Sequence, residues 1–131
     1  MRGYVRRLAA AVVLAAMVAS ALALPAFAAA YSISGTCRDD AQWYISTNIR
    51  TVGADNTTIR ASFHNLCVKP MEFKLINANT GAQLGTTIVA STDVKNLATG
   101  VRKGTQFKNA YRLTSSCFSW QDRDFAGTEY Y

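Results

Sequence analysis

Residues 57–68 read TTIRASFHNLCV. Ile59, Ala61, Phe63 and Cys67 share one parity, and Arg60, Ser62 and His64 share the other. Successive side chains of a strand point to opposite faces, so this stretch has one oily face and one wet face. It reads as a half-buried strand, and the stretches on both sides repeat the pattern.

Upstream, Tyr31, Ile33, Gly35 and Cys37 alternate along a short candidate strand. Residues 41–52 are rich in β-branched and aromatic side chains. They are expected to form a strand with Trp43, Ile45 and Ile49 on its apolar face and Tyr44, Ser46, Asn48 and Arg50 on its wet face. The turn signal Gly53-Ala54-Asp55-Asn56 would join that strand to 57–68 as a hairpin.

Downstream, Pro70 denies a backbone donor and separates the next strand. There Met71, Phe73 and Leu75 alternate with Glu72 and Lys74. Asn77-Ala78-Asn79-Thr80-Gly81 supplies residues that tolerate the left-handed conformation of a tight loop, and Leu84, Thr86, Ile88 and Ala90 continue beyond it. This is the clearest hairpin in the chain. Residues 91–100 read either as one helical turn after Thr92 or as a further short strand. In 105–114, Phe107, Tyr111 and Leu113 oppose Gln106, Lys108 and Arg112. A closing strand is expected over 125–131, with Phe125 and Tyr131 on one side and Glu129 sharing their parity.

No segment outside the N-terminus shows sustained helical periodicity. The expected fold is all-β: a small antiparallel sandwich or barrel-like fold of six to eight strands. An immunoglobulin framework does not fit, because Trp43 follows Cys37 too closely and Tyr111 is not two residues before Cys117.

The first residues are MRGYVRR, followed by an apolar run from Leu8 to Leu24, then Pro25 and Ala26-Phe27-Ala28. A basic start, an apolar run and a small-x-small site make a secretory signal peptide. The run of 17 residues is at the short edge of what spans a bilayer. Cleavage after Ala28 fits best, with Ala30 as the alternative. The expectation is a signal peptide over 1–28 and a single secreted β domain over 29–131, with no membrane span once the leader is removed. The alanine-rich leader has a bacterial look.

Without the leader the chain has eleven basic and eight acidic residues, a net charge of +3. That balance gives no reason to expect nucleic acid as a partner. Cysteines stand at 37, 67 and 117. In an oxidising compartment one disulfide is expected, with the third thiol unpaired or joined to another chain. Loop-closure entropy does not separate the three pairings. Cys37–Cys117 is the preferred pair, because antiparallel pairing of the first and last strands would bring both to one end of the sheet.

Chemistry is sparse. His64 is the single histidine, on the wet face, with Cys67 on the opposite parity, so the two cannot act as a nucleophile–base pair from this strand. The chain has no G-x-S-x-G, H-E-x-x-H or phosphate loop, and no enzyme activity is expected. No zinc spacing exists. Asp39-Asp40 and Asp122-x-Asp124 are read as solvated loop charges rather than calcium ligands. Neither metal nor cofactor is expected.

Aromatic and basic side chains on wet positions remain. Trp120 lies in the polar loop SSCFSWQDRD, and Tyr44 and Tyr130 have wet parity. Arg60, Lys74, Lys108 and Arg112, with Arg102 and Lys103 in the preceding turn, would form a basic surface if their strands shared a sheet. Flat aromatic faces can stack on sugar rings or anchor a protein. Trp120, Tyr44, Tyr130, Arg60, Lys108 and Arg112 are the candidate contacts of a non-catalytic binding protein, its partner a cell-wall polymer or an extracellular protein. The alternative is a secreted effector, an antimicrobial protein or a protease inhibitor presenting the Ser115–Asp124 loop.

Overall fold

The computed structural model describes residues 29–38, 40–67, 70–114 and 123–131, with Arg123 described through its backbone alone. Among these residues the secondary structure is all β. In chain order the strands are β1 (Ala30–Cys37), β2 (Tyr44–Ile45), β3 (Arg50–Thr51), β4 (Thr57–Asn65), β5 (Met71–Asn77), β6 (Gln83–Val89), β7 (Lys95–Val101), β8 (Gln106–Leu113) and β9 (Arg123–Tyr130). They form two antiparallel sheets. One has the order β1-β9-β4-β7; the other has the order β2-β8-β5-β6, with β3 also paired to β8.

Strand β4 has the faces its alternation dictates. Ile59, Ala61 and Phe63 are buried, and Arg60 and His64 are exposed. Its two neighbours, β7 and β9, place it inside the sheet. The β5–β6 hairpin forms as expected. Its turn is held locally: the Asn77 side-chain carbonyl accepts the backbone N–H groups of Asn79 and Thr80, and Gly81 takes φ +73°. Residues 91–100 hold most of strand β7 (Lys95–Val101) rather than a helical turn, and Leu97, Ala98 and Val101 are buried.

The stretch 41–52 departs from expectation. It is not one strand but two short ones, so nine strands occur among the described residues instead of six to eight. Both lie on β8, so no hairpin with β4 forms. The expected alternation of faces also fails: Trp43 is half-buried and Asn48 exposed as expected, but the two isoleucines are not covered. Tyr44 stands opposite Tyr111 and is half-buried, whereas Ile45 and Ile49 are each 54% exposed. The physical reason is position: Ala41 enters in the left-handed region (φ 55°), and the segment then runs along a sheet edge, where little core exists to cover an apolar face.

Among the described residues, three edge-on aromatic contacts join the sheets. Phe63 of β4 meets Phe73 of β5 at 5.3 Å, Phe125 of β9 meets Tyr111 of β8 at 4.7 Å, and Tyr131 meets Phe107 of β8 at 5.2 Å. Such geometry sets the positive ring edge against the negative face of its partner.

The two margins between the sheets are built differently. At one, β6 meets β7 backbone to backbone. A side chain at Gly85 would overlap the Leu97 carbonyl, and Gly85 has φ +74°. Gly85→Ala is therefore expected to lower stability by at least about 2 kcal/mol, since a methyl group meets both the left-handed conformation and a fixed carbonyl. Urea unfolding checks this, and an unchanged midpoint would show that β6 and β7 do not approach here. At the other margin, beside β1 and β3, side chains rather than backbone make the connection.

The disulfide corrects the expected pairing. Cys37 bonds to Cys67, not to Cys117, with Cα atoms 5.8 Å apart. The premise was sound, since β1 and β9 do pair antiparallel. However, β4 flanks the other side of β9, and the chain just past its end returns Cys67 to Cys37. Cys117 lies outside the described residues.

Candidate binding crevice

The open margin is organised by Arg50 of β3. Its Nη2 donates to the Ser32 carbonyl of β1 at 2.9 Å, and its Nε lies 3.3 Å from the Glu129 carboxylate of β9. Its guanidinium also stands 5.5 Å from the Tyr31 ring centre. One side chain of the second sheet thus contacts two strands of the first.

Glu129 is fully buried. Burial pushes its carboxyl up from 4.5 to about 7, against the opposing pull of Arg50 and of the neighbouring Asn109. Arg50 and Asn109 are near enough to favour the charged form, yet neither Glu129 oxygen has a hydrogen bond of good geometry, and the Asn109 side-chain oxygen is likewise buried without one. Desolvation therefore prevails. Beside this pair is a small cavity of about 80 Å³, lined by Ser32, Ser34, Ser46, Asn48, Arg50 and Asn109 together with aromatic rings.

A larger crevice of about 730 Å³ opens at the end of the sheets. Its walls are the tyrosines at 31, 130 and 131, the β3–β4 turn with Asp55 and Asn56, and Thr57, Thr58 and Arg60 of β4. Tyr31 and Tyr131 have inward parity, but they stand where the sheets end. They stack on each other, centroids 4.5 Å apart and planes within 15°. Burial pushes the Tyr131 hydroxyl above its ordinary range, and Arg50 opposes that rise. The turn wall is fixed from behind: Asp55 accepts the Lys103 backbone N–H at 2.9 Å, and the Thr57 hydroxyl donates to the Ala54 carbonyl at 2.7 Å.

The candidate contact residues divide. Tyr130 and Arg60 are brought together as register partners on β9 and β4, and both line the crevice. The Tyr130 and Ser62 hydroxyls are 3.5 Å apart. Lys108 and Arg112 are on β8 in the other sheet. Lys74 of β5 shares that sheet with them, but Arg60 is separated from all three because its strand lies in the opposite sheet, so the expected basic surface is divided. Arg112 is engaged with Glu72 at 3.2 Å and lies 4.7 Å from the Trp43 ring, which also takes Lys74 at 3.9 Å. Tyr44 is half-buried opposite Tyr111, and its hydroxyl, at the surface, donates to Asp40 while Arg38 lies 4.9 Å from its ring. Trp120, most of the 115–124 loop read for an inhibitor, and the acids Asp39 and Asp122 lie outside the described residues.

His64 is exposed, and Cys67 is half of a disulfide and offers no thiolate. Among the described residues no three His, Cys, Asp or Glu side chains converge on a metal position, and no helix is long and apolar enough to cross a membrane. Glu129, Arg50, Tyr31 and Tyr131 were not among the expected site residues. Glu129 had a signal in the sequence, since an acid with the parity of Phe125 is an acid pointing at the core.

Comparison of the chain with protein-family models, with curated proteins and with solved structures gives no match.

Proposed function

We propose that the chain is exported, loses its leader after Ala28, and works outside the cell as a non-catalytic carbohydrate-binding β-sandwich whose ligand sits in the tyrosine crevice. The crevice carries this reading. It has the size of a small-ligand site. It combines aromatic rings, which take the apolar face of a sugar, with hydroxyl, amide and guanidinium groups that satisfy its hydroxyls. The Cys37–Cys67 disulfide agrees with an oxidising compartment. The interlocked wall around Asp55 and Thr57 agrees with a preformed site, which costs little ordering entropy on binding.

The test is a titration of the purified protein with cell-wall polysaccharide fragments, followed by intrinsic fluorescence and calorimetry. Tyr130→Ala is expected to weaken binding by about tenfold, the loss of one stacked ring, while Tyr130→Phe keeps most of the affinity. Equal binding by wild type and Tyr130→Ala, or no binding across the fragments, would remove this reading.

A further inference from the structure

We propose that the crevice selects sugars carrying a carboxylate, the uronic-acid class, and that Arg60 reads the charge. This rests on the carbohydrate reading above and narrows it. Arg60 is exposed, lines the crevice, and stands directly across from Tyr130. Cross-strand partners of this kind hold their Cβ atoms about 5 Å apart, so one pyranose can stack on the ring and reach the guanidinium. Among the described residues no carboxylate lies within ion-pair distance of Arg60, in contrast to Arg50 and Arg112, which pair with Glu129 and Glu72.

The acid on the crevice wall, Asp55, is turned to the Lys103 backbone N–H and helps hold the loop. A planar guanidinium matches a carboxylate with two parallel hydrogen bonds, which a neutral sugar cannot return. Asn56 and Thr58 remain for the ring hydroxyls.

The deciding experiment uses protein expressed from the full chain and three probes: an oligouronate, its methyl ester, and the neutral oligosaccharide of the same linkage. Calorimetry at neutral pH is expected to show the acid binding about tenfold more tightly than its ester, with the gap narrowing in high salt. Arg60→Ala is expected to erase that gap, and Arg60→Lys to keep part of it. Equal affinity for acid and ester overturns the charge selection and leaves the carbohydrate reading standing. An unchanged preference in Arg60→Ala overturns the role of Arg60. No binding of any probe overturns both readings together.

Discussion

Raising the pH from about 5 to about 8 is expected to destabilise the folded protein by about 3 kcal/mol, and Glu129→Gln to abolish most of that slope. The sign follows from where the proton is held. Glu129 has a folded pKa raised to about 7 from an ordinary 4.5, because burial disfavours its charge. Below the lower value both states are protonated, and the contribution to stability is complete. As pH rises through the interval, the unfolded chain releases its proton first. Above about 7 the folded state must ionise a carboxyl sealed between the sheets, and the contribution is lost. Glutamine keeps the shape and cannot ionise.

Arg50→Ala sharpens the test. Removing the cation 3.3 Å away leaves an unpaired buried charge at alkaline pH, expected to cost about 3–5 kcal/mol there and much less at acidic pH, where Glu129 is neutral. Thermal unfolding across the range measures both effects. A flat wild-type profile would mean that Glu129 is not sealed. Because Arg50 also approaches Tyr31 and donates to Ser32, the same variant should loosen the crevice wall and weaken ligand binding.

Removing the disulfide as Cys37→Ala/Cys67→Ala should cost about 4 kcal/mol, from the loop-closure entropy returned to the unfolded chain. The bond closes a separation of 30 residues, linking the end of β1 to the segment just past β4. Alanine is preferred to serine because both positions are buried, and a hydroxyl would add an unsatisfied polar group. Peptide mapping under non-reducing conditions identifies the pair directly. A Cys37–Cys117 peptide, or an unchanged urea midpoint in the double variant, would contradict the bond.

Several features were legible without coordinates because their causes are local. The alternation around Phe63 fixed the faces of β4, and the Asn-rich turn after β5 carries its own hydrogen bonds. The parity of Glu129 already puts an acid on the same face as Phe125, though it does not show the Arg50 that meets it.

Other features depended on pairings between distant residues. Periodicity suggests Ile45 and Ile49 as core, but they run along an edge on β8, a neighbour more than fifty positions away in the chain. The partner of Cys37 was decided by β4 lying beside β9. The crevice draws on residues near 31, 55, 60 and 130, which only the β1-β9-β4 arrangement brings together. Alternation along a strand says which side chains leave the water. Hydrogen bonding between remote strands chooses what they meet, and those partnerships leave no trace in local spacing.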